Sequence, residues 1–172
     1  ASAPSDPLSV FYRPALCLVV SGKKRVFLKN QIAEYGPNGH LVISQDLPAL
    51  GQVVEASPQE PYLCLHLRIE HAEINQIVLD HGLPKEPEGA TTQAARGLYV
   101  EPSSAALVDA ILRLVRLLDT PADLAAIAPL VRREIVYRLV SSPNGWRLAR
   151  TAKAAPPALV LPATLSAEWR AS

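Results

Sequence analysis

The side chains able to do chemistry are few and scattered. Four histidines (His40, His66, His71, His81) and two cysteines (Cys17, Cys64) supply every imidazole and thiol in 172 residues. A zinc centre needs three or four such ligands at close spacing, and these six do not provide it. His40 follows Pro37-Asn38-Gly39, half of a metal-binding pattern that also needs a His-x-His pair and a downstream Glu, both missing. His40 therefore reads as a structural or pocket polar group, and neither metal nor cofactor is expected. The nucleophile elbow, the phosphate-binding loop, the dinucleotide fingerprint and His-Glu-x-x-His are absent, so no catalysis is expected. Cys17 lies inside the apolar run Ala15–Val20, where burial raises a thiol pKa and quenches reactivity. Cys64 shares a strand face with His66 and Arg68, whose charge could lower its pKa.

Composition narrows the class further. Apolar residues make up 49% and charged residues 19%, too apolar for a disordered chain. No window approaches eighteen uninterrupted apolar residues, so no membrane span is expected. The 17 basic against 16 acidic residues leave a formal charge of +1, too little to attract nucleic acid or a membrane generally. Lys23-Lys24-Arg25 reads as charge blunting a strand edge, and Arg132-Arg133 as a solvated helix face. The first residues lack a charged segment followed by a long apolar one, so they do not resemble a signal peptide. With two cysteines the reducing cytoplasm is the simpler home.

The elements that must hold these residues change character along the chain. Ala15–Val20, Lys23–Lys29, Leu41–Ser44, Gly51–Ala56, Tyr62–Glu70 and Leu98–Val100 are strand-length runs between Gly and Pro turns. Along Lys23–Lys29, Arg25 and Phe27 face one way and Val26 and Leu28 the other. Along Tyr62–Glu70, Leu63, Leu65, Leu67 and Ile69 oppose Tyr62, Cys64, His66 and Arg68. Alternation does not say which face is interior. Beyond residue 71 the period becomes helical. Glu73–His81 ends at Gly82, and Ser103–Leu118 carries Leu107, Ile111, Leu114, Val115 and Leu118 on one stripe flanked by Leu112 and Leu117. Pro121 breaks this helix, Ala122–Ile127 is a short helical turn, Pro129 opens another helix to Val140, and Trp146–Ala152 is a last piece. Pro84–Gln93 reads as a loop. Lys153–Ser172 has neither period and reads as an irregular tail or linker remnant. Strands first and helices second make an α+β plan.

Several ordered segments resemble the N-terminal effector domain of AraC-type transcription regulators: Pro14–Lys24, Tyr35-Gly36-Pro37, Leu41–Pro48, Glu55–Pro58 with Pro61–Leu63, Leu114–Asp119, Ala128-Pro129-Leu130, Arg133–Leu139 and Ser142–Gly145. The resemblance implies a cupin-like antiparallel β-barrel or sandwich over 8–101, after a flexible 1–7, then a helical hairpin over 102–152. It further implies a small-molecule sensor that dimerises through its helices and contacts promoter DNA only through a C-terminal helix-turn-helix domain, which this sequence lacks. The effector itself does not carry over. Within that frame the candidate ligand residues are Arg25, Phe27, Tyr62, Cys64, His66 and Arg68. The candidate homodimer residues are Leu107, Ile111, Leu112, Leu114, Leu117 and Leu118. Two rival readings stand beside this one: a dimerisation module that binds no ligand, and a cupin-fold metal enzyme, against which the missing metal triad counts.

Overall fold

The structure, a computed structural model, describes residues 1–29, 31–90 and 97–154. The chain forms β1 (Leu8–Tyr12), β2 (Ala15–Ser21), β3 (Lys23–Leu28), β4 (Gln31–Tyr35), β5 (Gly39–Ile43), β6 (Leu47–Glu55), β7 (Leu63–Arg68), α1 (His71–His81), β8 (Leu98–Pro102), α2 (Ala105–Arg116), α3 (Pro121–Val140) and α4 (Gly145–Ala154). The strands make two four-stranded antiparallel sheets, ordered β1-β6-β3-β4 and β7-β2-β5-β8. The α+β expectation holds, in its sandwich form and not as a closed barrel.

Two apolar layers hold the molecule together. Val19, Val26, Leu41, Ile43, Leu47 and Leu98 fill the space between the sheets. On the other face of the second sheet, Leu16, Leu18, Val42 and Tyr99 meet Ile74 and Ile77 of α1, Leu107 and Ile111 of α2, Ile135 and Leu139 of α3, and Leu148 of α4. The second sheet is thus buried on both faces, which is why β2 and β5 read as unbroken apolar runs. It also settles the face left open on β7: Leu65 and Leu67 pack toward the helices, and Tyr62 and Cys64 toward the first sheet.

Helix ends follow local chemistry. Ser104 caps α2 by accepting from the Leu107 N–H at 3.2 Å, and Glu73 accepts from the Glu70 N–H at 2.9 Å at the start of α1. Gly82, at φ +86°, ends α1, and its N–H reaches the Val78 carbonyl at 2.8 Å. Ion pairs link the helices: Arg113 of α2 and Arg138 both pair with Glu134 of α3, and Arg132 of α3 meets Glu73 of α1 at 2.8 Å.

Four differences from the sequence reading have physical reasons. β1 and β4 are strands that composition did not mark, since each fully buries only its last residue, Tyr12 or Tyr35, and so carries no buried apolar face. β6 starts at Leu47 and not at Gly51, because Pro48 sits opposite Phe11 of the edge strand β1, a place where a missing N–H is tolerated. The helical turn at 122–127 and the helix from 129 are one helix, α3, with Pro129 inside it. Pro129 and Ala125, whose carbonyl loses its intrahelical donor, are both exposed, which leaves that carbonyl open to solvent. The leading residues are tied down: the Ser5 N–H donates to the Val53 carbonyl at 2.9 Å, and Ala1 and Tyr62 exchange backbone bonds. Most of the tail and part of the Pro84–Gln93 loop lie outside the described residues.

Candidate functional site

The layer between the sheets is apolar except for one polar group of side chains. Tyr12 comes from β1, Cys17 from β2, Lys24 from β3 and Tyr35 from β4, while Tyr62 and Cys64 stand at the head of β7. Lys24 Nζ lies 5.6 Å from the centre of the Tyr12 ring, within reach of a cation–π attraction. Room for the pair is made at Gly51 of β6, where a Cβ would come within 2.9 Å of the Tyr12 hydroxyl and 3.2 Å of Lys24 Cε. The Tyr12 hydroxyl is buried with no hydrogen-bond partner among the described residues, and the buried Tyr35 hydroxyl has only the Cys17 thiol and the Tyr62 hydroxyl near enough to act on it. Such groups carry a desolvation cost of about 1–3 kcal/mol each.

The two thiols act on one another. β2 and β7 pair Cys17 with His66 and Val19 with Cys64, so Cys17 and Cys64 are diagonal neighbours on the inward face. The Cys17 thiol donates toward Cys64, which raises Cys17 and, with Tyr62 and the Lys24 ammonium, lowers Cys64 to about 6 against an opposing push from burial. In its thiol form Cys64 donates to the Leu65 carbonyl at 3.4 Å. Burial raises the Tyr35 and Tyr62 hydroxyls out of the physiological range. Burial first, and then Lys24, lower His66. Cys64 should therefore alkylate with an apparent pKa near 6, while buried Cys17 stays inert. The reaction should slow as pH falls through that value, and Lys24→Met should move the midpoint upward. Mass spectrometry of iodoacetamide-treated protein across pH reads both; equal labelling of Cys17 and Cys64 would refute the assignment.

The residues singled out from sequence are distributed over three places. Tyr62 and Cys64 lie in the inter-sheet group, and His66 continues that face of β7 toward its exposed end. Arg68 is at the surface, paired with Glu70 at 2.8 Å. Arg25 and Phe27 lie on the outer face of the first sheet. There Arg25 holds Glu34 at 2.6 Å, and Phe27 shares a shallow cleft with Phe11 and Leu50. Tyr12, Lys24, Tyr35 and Gly51 were missed. A usable signal existed for one of them, since Lys24 has the same parity as Val26 and Leu28, a cation on the apolar side of an alternating strand.

The six helix residues also divide. Leu107 and Ile111 are buried in the protomer's own core and Leu114 packs against it. Leu117 is half-buried. Leu112 and Leu118 are 43% and 68% exposed, and Val108 and Val115 extend their face at helical spacing. Leu124 and Ile127 of α3 are exposed as well.

A two-sheet antiparallel sandwich backed on one side by helices places the chain among α+β domains. Residues 1–147 match the family described as AraC-type transcriptional regulator N-terminus, and the chain belongs to it. Two solved structures of ToxT from Vibrio cholerae share the fold. One is an apo variant from strain SCE256, at 9% identity and TM-score 0.55, covering 80% of this chain and 51% of that one. The other is the strain O395 protein bound to (E)-4-(8-methylnaphthalen-1-yl)but-3-enoic acid, at 9% identity and TM-score 0.51, covering 83% and 55%. The chain spans about half the length of these proteins. No curated protein matches it significantly in sequence. Among the described residues no helix is long and apolar enough to cross a membrane.

Proposed function

We propose that the chain is the small-molecule effector-sensing and dimerisation domain of an AraC-type transcription regulator. In this reading it works without catalysis in the reducing cytoplasm, residues 8–101 sense and 102–152 pair two copies, and promoter DNA is contacted by a further domain. The observation that carries the reading is the convergence of the half-buried Lys24, Tyr62 and Cys64 on the buried Tyr12 and Tyr35, whose hydroxyls lack a hydrogen-bond partner by geometry among the described residues. A folded core gains nothing from polar groups left without partners, and a ligand would supply those partners. A carboxylic acid suits the single ammonium of Lys24, and the ToxT structure named above holds a carboxylic acid. Tyr62, Cys64 and His66 would line the ligand together with Lys24. Arg25, Phe27 and Arg68 fall outside this group. A ligand that favours one arrangement of the paired helices shifts the dimer by its difference in affinity.

A thermal-shift screen of aryl and long-chain carboxylic acids tests the proposal. At least one acid should raise the melting temperature saturably, since binding to the native state alone stabilises it. Lys24→Met should weaken that acid about tenfold or more by removing the charge-assisted partner. Gly51→Ala should also weaken it. The new Cβ presses on the hydroxyl of the buried Tyr12 ring and on the flexible Lys24 stem, so stability should fall by about 1–3 kcal/mol. Equal binding by wild type and Lys24→Met would remove the inter-sheet site; no shift from any acid would favour a ligand-free dimerisation module.

A further inference from the structure

A second cluster of polar atoms without partners lies on the opposite face of the second sheet, under the helices. His40 of β5 and Glu101 of β8 are register partners and are 2% and 4% exposed. Both line a cleft of about 520 Å³ that Leu107 of α2 and the α3–α4 turn complete. Glu101 Oε1 is fully engaged, accepting from the Asn144 backbone N–H and from its Nδ2, each at 2.8 Å. Glu101 Oε2 accepts nothing among the described residues. His40 Nδ1 is 3.1 Å from the Ser103 hydroxyl, whereas His40 Nε2 has no partner. These two atoms are 3.8 Å apart, too far to bond each other and close enough for one donor group to reach both. Burial holds His40 below its ordinary pKa against the opposing pull of Glu101, so the imidazole stays neutral. Arg138 also lines the cleft but is spent on Glu134 at 2.6 Å. Arg147 stacks on Tyr99, 4.7 Å from its ring centre, and donates to the Leu98 carbonyl; the Glu101 charge reaches it through space, with no hydrogen bond or ion pair between them among the described residues.

We infer that this cleft is a second small-molecule site, one that takes a primary amine carried on an apolar body. The ammonium donates one N–H to Glu101 Oε2 and another to His40 Nε2, and the body lies along Val100, Leu107 and Pro143. A carboxylate with a spare lone pair at a buried position is costly until a donor meets it. A cationic donor is the strongest match. The site touches the sheet and the helices at once, and it shares no residue with the inter-sheet group.

The probe is 2-phenylethylamine, with 3-phenylpropanoate as the charge-reversed control, followed through the four histidine imidazole resonances by NMR. The amine should shift His40 saturably in the millimolar range and leave His66 unmoved, while the carboxylate leaves His40 unmoved. Glu101→Gln keeps an acceptor for Asn144 and should weaken the amine about tenfold or more. Lys24→Met should leave amine binding unchanged, so this site and the inter-sheet reading fail separately. The wild-type titration needs no variant to fold. An unmoved His40, an equal response to the carboxylate, or undiminished binding by folded Glu101→Gln would overturn the assignment.

Discussion

Gly145→Ala is expected to destabilise the chain by about 3 kcal/mol or more, the range seen when added volume meets atoms that cannot yield. A Cβ at this position would lie 1.9 Å from the Val140 carbonyl oxygen and 2.6 Å from that of Leu139. Both are backbone atoms at the end of α3, so relief requires moving a helix and not a side chain. The tight turn exists because Gly145 lets α4 fold back immediately after Ser141–Asn144, with its N–H bonded to the Ser142 carbonyl at 2.9 Å. Opening it would pull Leu148 and Ala152 away from the helical core and Asn144 away from Glu101. Calorimetry should show the melting temperature falling by about 10 °C for a domain of this size. A fall of under about 2 °C would mean that the turn relaxes cheaply, against this account.

Leu112→Glu is expected to abolish dimerisation while leaving the protomer folded. Leu112 is 43% exposed and faces away from its own core, so the substitution should change protomer stability by no more than about 0.5 kcal/mol. In a two-fold pairing each copy would place one carboxylate in a desolvated helix face beside Val108 and Val115. The expected cost is on the order of a few kcal/mol per buried charge. An isologous interface repeats the damage on both sides. The proposal of a dimer rests on the exposed apolar residues Val108, Leu112 and Val115 at helical spacing on one face of α2, with Leu118, Leu124 and Ile127 exposed in the neighbouring segments. Sedimentation velocity at tens of micromolar should find wild type dimeric and Leu112→Glu monomeric. A monomeric wild type, or a variant that stays dimeric, would remove the pairing face.

The fold was legible in the sequence wherever burial leaves a period. β2 and β5, central and covered on both sides, announced themselves as apolar runs, and α2 through its leucine stripe. Strands that bury little left less trace. β1 and β4 take their identity from a neighbouring ladder, which local composition does not encode. The same limit explains α3, where Pro129 looked like a start although exposure on the outer side of the helix lets it sit in the interior. For the candidate site, alternation placed Tyr62 and Cys64 on one face, and both pack toward the first sheet. It could not pair that face with Lys24 or exclude Arg25, because which side of β3 meets β7 depends on how two sheets stack. On α2 the stripe and its flank have opposite fates. Leu107 and Ile111 are consumed by the protomer's core and Leu112 is left outside, a division that a helical period alone cannot make.

The central claim is that a small acid is sensed between the two sheets. Its most direct test is the map of backbone amide shifts when the best carboxylic acid from the screen is titrated into the isotopically labelled protein. The account predicts saturable shifts at Lys24, Gly51, Tyr62 and Cys64, with the outer face of the first sheet at Phe11, Phe27 and Leu50 unmoved. Shifts confined to that outer face, with the inter-sheet amides silent, would contradict it.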